Sequence, residues 1–115
     1  MCDEKKFTIT DEPLDRRNSL RCLLFVNFCL RYGDDQYIGV TEDLSLGGAY
    51  LNQTEPVLTS DMEGEGCRLS LKMPNRTLMI KCKILHVSKK GAGVMFYDMD
   101  DATKSIIKTI IINRL

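Results

Sequence analysis

A chain of 115 residues has room for one domain around one modest core. Sixteen basic and sixteen acidic side chains cancel, so no global field draws the protein to nucleic acid or to an anionic membrane. No apolar run approaches the roughly 20 residues of a membrane span, and Met1 is followed by no hydrophobic signal core; the expectation is a cytoplasmic protein.

Residues 1–13 are polar and end at Pro13, which suggests a flexible lead-in to a single domain over 14–115. From Cys22 the chain alternates, with Cys22, Leu24, Val26, Phe28 and Leu30 on one face, the period of a strand with one buried side. Gly33-Asp34-Asp35 has turn chemistry, and residues 36–41 complete a hairpin. A turn is expected over 43–48, then a third strand over 49–51. Residues 52–66, with Pro56, Gly64 and Gly66, form the longest irregular stretch and are expected to be a mobile loop.

Residues 67–73 give a fourth strand, ended by Pro74-Asn75. Residues 78–87 give a fifth, with Ile80, Cys82, Ile84 and His86 sharing a face, and residues 92–97 a sixth. The period then changes. Asp100 or Asp101 can cap a helix whose apolar stripe is Ile106, Ile107, Ile110 and Ile111, although β-branched residues are mediocre helix formers. Six short strands and a terminal helix predict an all-β domain: a closed or nearly closed six-stranded antiparallel barrel followed by an α-helix.

Catalysis finds little support. The five cysteines, Cys2, Cys22, Cys29, Cys67 and Cys82, show no C-x-x-C spacing, and His86 is the single histidine, so no metal site is expected. Asp34-Asp35 and the acids at 98, 100 and 101 fit turns and a helix cap, His86 reads as a core histidine, and no nucleophile–base pair is visible. The expectation is a protein without enzymatic activity.

Two short patterns carry the chemistry. Arg17 and Arg21 lie four apart and so share a face in an extended or a helical segment. Their planar guanidinium donors suit phosphate oxygens and can also read or stack on guanine. By itself R-x-x-x-R is weak, because seven arginines in a chain of this length produce it readily by chance. Asp43-x-Ser45-x-x-Gly48 is rarer. Its carboxylate can accept from a guanine amide and amino edge, its hydroxyl can serve a base or a phosphate, and its glycine permits close backbone approach or positive φ. Taken singly it is also what any tight turn would select. In this order, flanking a β-hairpin, the two patterns point to a small, doubly charged nucleotide.

In these patterns, Arg17-Asn18-Ser19-Leu20-Arg21 and Asp43-Leu44-Ser45-Leu46-Gly47-Gly48, the chain resembles the PilZ domain, a family of bacterial receptors for cyclic di-GMP. Gly-Ala-Gly-Val-Met-Phe at 91–96 is similar to the family's glycine-containing final strand. The resemblance spans about residues 14–115 and implies a six-stranded barrel with a C-terminal helix. It implies that Arg17 and Arg21 hold the phosphates and stack on or bond to guanine, that Arg16 adds a phosphate or stacking contact, that Asp43 and Ser45 contact a guanine edge, and that Gly48 shapes the turn. The arginine loop lacks the proline or aromatic residue often found inside it.

The implied ligand is cyclic di-GMP, with no other cofactor. Binding would fold residues 10–21 onto the barrel, and the altered surface would regulate a separate downstream protein in motility, exopolysaccharide or biofilm control, since no effector domain is fused. One competing reading is a protein–protein adapter of the same fold that binds no nucleotide. Another is a single-stranded nucleic-acid barrel, which would want a basic groove with aromatic platforms that zero net charge and eight scattered aromatics do not offer.

Overall fold

The computed structural model describes residues 21–114; the predicted lead-in, Arg16 and Arg17 lie outside the described residues. The strands are β1 (Arg21–Leu23), β2 (Asn27–Tyr32), β3 (Asp35–Ser45), β4 (Gly48–Glu55), β5 (Gly66–Met73), β6 (Arg76–Val87) and β7 (Gly91–Phe96), followed by α1 (Asp101–Arg114). Strands β1 and β2 both run antiparallel to β3, one against each half of it, so together they form one interrupted stave. From β2 the pairings pass to β5, β6, β7 and β4, and β4 returns to β3. The result is a closed six-stranded antiparallel barrel with one C-terminal helix, as predicted. Closure removes the unpaired edges that an open sheet would expose.

The interruption has a local cause. Between β1 and β2 three residues, Leu24-Phe25-Val26, face only two on β3, Thr41 and Glu42. The buried Thr41 hydroxyl fills the gap, accepting from the Val26 amide at 3.0 Å and donating to the Leu24 carbonyl. This bulge bends the stave and leaves Phe25 65% exposed. Cys22, Leu24, Phe28 and Leu30 still turn inward, so the predicted apolar face survives in two pieces. Inside the barrel Phe28, Leu30, Leu51, Leu69, Leu71 and Ile84 are fully buried.

Three expectations need correction. Strand β3 does not stop at Thr41 but continues through Ser45, and β4 begins at Gly48, so the turn proper is only Leu46-Gly47. Asp43 and Ser45 are therefore strand residues in a defined register. Nor is 52–66 a loose loop: β4 runs to Glu55, a single turn of 3-10 helix spans Ser60–Met62, and Leu58 and Met62 are buried in the core. Those two apolar side chains anchor the segment, and Thr54 Oγ1 accepts the Leu58 amide at 3.3 Å. His86, finally, is not a core histidine. A register shift between Ile84 and His86 turns it outward, its side chain 71% exposed and its Nδ1 3.9 Å from Glu63 Oε2.

The terminal helix begins where expected. Asp100 Oδ1 accepts the Thr103 amide at 2.7 Å, satisfying one of the amides that a helix start leaves unpaired. Ile107 and Ile111 are buried and Ile106 and Ile110 pack at the margin of the core, the predicted stripe. The helix lies against β1 and β3, the two strands that carry Arg21 and Asp43.

Candidate functional site

Antiparallel pairing brings the two sequence patterns together. In the register of β1 and β3, Arg21 stands opposite Ser45 and Leu23 opposite Asp43. Residues two apart on a strand share a face, so Arg21 lies diagonally across from Asp43 on the outside of the barrel. Arg21 Nη1 donates to Asp43 Oδ1 at 2.9 Å, joining residues 22 apart in sequence. The pair is half open, with side-chain exposures of 51% for Arg21 and 24% for Asp43. An exposed ion pair contributes only about 0–1 kcal/mol, so the fold does not depend on it. Among the described residues this contact uses one of Arg21's five donors and one oxygen of the carboxylate. A positive fork and an acceptor edge are thus held side by side.

Ser45 differs from expectation. Its hydroxyl is buried and committed to Gly48 twice, donating to the Gly48 carbonyl at 3.2 Å and accepting the Gly48 amide at 3.1 Å. These two bonds close the hairpin. Gly48 is required for close approach, because a Cβ there would strike the Val94 carbonyl of β7. The Phe96 amide donates to the Gly47 carbonyl at 2.8 Å, tying the turn to β7 as well. Asp43 therefore projects from a hairpin end fixed on two sides.

One neighbour was not singled out from the sequence. Tyr50, two residues past Gly48, is the register partner of Asp43 on β4 and lies on the outer face, between the inward Ala49 and Leu51. Its hydroxyl is 3.1 Å from Ser88 Oγ, which fixes the ring. Strand alternation after Gly48 was the available signal.

The remaining candidates do not form a chemical centre. Burial pushes the Cys67 thiol up to about 11, with Glu65 adding to it, and pushes Cys82 up to about 12, with Cys67 adding to it. Burial also raises Cys22, against the opposing pull of Arg114. These side chains remain thiols and act as small apolar groups. Among the described residues no three His, Cys, Asp or Glu side chains are grouped to hold a metal, and no helix is long and apolar enough to cross a membrane. A cavity of about 820 Å³ opens beside Ile38, Val40, Val57, Lys72, Lys89 and Lys90, at the other end of β3 and β4 from Asp43. It contains none of the motif residues. Volume and chemistry point to different places here, and the paired donors and acceptors favour the Arg21–Asp43 face.

The family model of the PilZ domain matches residues 15–113. The chain belongs to the PilZ domain family. No curated protein matches this PilZ domain in sequence. Its fold is shared with the PilZ domain of CeSA from a cellulose-synthesizing bacterium, at 17% identity and a TM-score of 0.67 over 81% of this chain and 95% of that one. It is shared with the PilZ domain of Escherichia coli YcgR solved with c-di-GMP, at 18% identity and a TM-score of 0.68 over 87% of this chain and 92% of that one. It is shared also with the Bacillus subtilis inhibitor of motility MotI, at 13% identity and a TM-score of 0.71 over 88% of this chain. The match takes in 51% of MotI, so this PilZ domain spans about half of that protein. At these identities the likeness is one of fold.

Proposed function

We propose that this PilZ domain is a non-enzymatic receptor for cyclic di-GMP. The observation that carries the reading is the Arg21–Asp43 pair, in which the last arginine of R-x-x-x-R reaches the first residue of D-x-S-x-x-G at 2.9 Å across two strands. The YcgR domain of the same fold, solved with c-di-GMP, supports the ligand class. The binding unit is taken as residues 14–115, in line with the matched segment.

Arg21, with Arg17 four residues before it and Arg16 beside that, supplies charge-assisted donors to the phosphates and to a guanine edge. Asp43 accepts from the guanine amide and amino group. Ser45 and Gly48 act one step back, holding the hairpin that aims Asp43. No residue is asked to break or form a covalent bond. Ligand phosphates would draw the arginine segment onto the outer face of β1 and β3, and the new surface would regulate a separate protein in the cytoplasm. Motility, exopolysaccharide or biofilm control is the proposed setting, supported by the shared fold of MotI, an inhibitor of motility.

The test is calorimetric titration of the purified protein with cyclic di-GMP, with GTP, the linear dinucleotide and cyclic di-AMP as controls. Saturable binding of cyclic di-GMP and none of the controls is expected. A folded protein that takes up no cyclic di-GMP would instead be an adapter, and Asp43 to Gly48 an ordinary hairpin end.

A further inference from the structure

Alternation along β3 puts apolar side chains on the outside of the barrel. Gly39 faces inward, and a Cβ there would stand 3.0 Å from the ring of buried Phe28. Ile38 and Val40, one on either side of it, therefore face out, 56% and 40% exposed. Val57, just past the end of β4, is 67% exposed. An apolar residue exposed singly is ordinary, whereas several sharing one concavity mark a surface made for contact.

These three line the cavity of about 820 Å³. Ile38 stands beside Cys29 of β2 and Glu55 of β4, and Val40 beside Asn27 and Asn52 on the same two strands. The floor thus crosses three strands, about 10 Å, the width of a single helix or of an extended segment with its side chains. Its rim is basic. Lys89 and Lys90 come from the turn between β6 and β7 and Lys72 from the end of β5, all three exposed. Among the described residues Glu55 is the only carboxylate of the lining, a local excess of positive charge in a chain whose charges otherwise cancel. An apolar floor inside a charged rim is the anatomy of a protein interface. A concave floor suits a segment of chain better than the flat face of a bilayer. Among the described residues the one aromatic side chain of the lining is Phe28, which is buried, so bases would find no platform to stack on.

We propose that this groove docks an acidic segment of a partner protein, with its apolar side chains on Ile38, Val40 and Val57 and its carboxylates against Lys72, Lys89 and Lys90. The inference stands apart from the receptor reading. In a receptor the groove holds the regulated protein while the ligand alters the Arg21–Asp43 face; in an adapter it is the adapter's own site.

The experiment selects short random peptides displayed on phage against the full chain. Enriched peptides are then titrated against wild type, Val57→Asp and the double variant Lys89→Glu, Lys90→Glu, with the Tm of each protein. All three positions are exposed, so each Tm should match wild type. Enriched peptides should be acidic with interspersed apolar residues, and their affinity should weaken as salt is raised. It should fall about tenfold or more in both variants. Should Val57→Asp melt early, Val57→Ser carries the same comparison. No enrichment, peptides without an acidic excess, or wild-type affinity in the folded variants overturns the proposal. Binding of phosphatidylglycerol vesicles that the double variant loses would make a membrane the occupant. A dimer in sedimentation that either variant dissolves would make it a second copy of this chain. Each of those results also overturns it.

Discussion

Arg21 and Ser45 face each other across β1 and β3, yet the structure gives them opposite relations to solvent. Arg21 is half exposed, and its bond to Asp43 is one the barrel can lose. Ser45 is buried, and both of its hydrogen bonds hold the Gly48 backbone. Arg21→Ala should therefore weaken cyclic di-GMP binding by one lost charge-assisted contact, about 1.5–3 kcal/mol or tenfold to hundredfold, with Tm unchanged. Ser45→Ala should do the reverse first, lowering stability by about 1–3 kcal/mol because buried Gly48 groups lose their partner. Paired thermal melts and titrations separate the two; a Tm loss in Arg21→Ala or none in Ser45→Ala would contradict these assignments. At this scale the two spaced patterns were legible in the sequence, and the structure joins them through Arg21 and Asp43. Residue type misled where register decides: His86 was read as core, and the bulge between Ile84 and His86 turns it outward.

The elements follow from patterns that survive local irregularity. The alternation from Cys22 to Leu30 was legible because the bulge at Leu24–Val26 keeps the apolar side chains inward while changing the pairing. The true length of β3 and β4 was not, since Asp43, Ser45 and Gly48 are turn formers that the barrel holds in strand geometry. The helix stripe was read from its period, and its start is fixed by Asp100. Hydrogen bonds from the Thr103 amide, then from its hydroxyl, hold the Asp100 carboxyl below its ordinary value. A depressed folded pKa means the cap stabilises fully above the unfolded value, about pH 4, and is lost as pH falls through the lower folded one. The Tm of Asp100→Ala should thus lie a few degrees below wild type at neutral pH, and the gap should close at about pH 2. A gap that is the same at both pH values would mean the carboxylate is not the cap.

For the molecule as a whole, the barrel separates two candidate regions. At one end of the barrel Arg21 of β1 meets Asp43 of β3, with Tyr50 of β4 beside it. The other end opens into the large groove flanked by Lys72, Lys89 and Lys90. Strand count, helix and the two motifs were legible because each is local in sequence. The closed order of staves, which decides what lies beside Asp43, depends on long-range pairings that no local pattern encodes. Cyclic di-GMP is predicted to bind the first region, and amide chemical shifts place it directly. Titrating the isotope-labelled protein should move the amides of residues 21–23 and 43–48 most, and leave Ile38, Val57, Lys89 and Lys90 nearly still. Shifts concentrated in the groove, with Arg21 and Asp43 unmoved, would contradict the account.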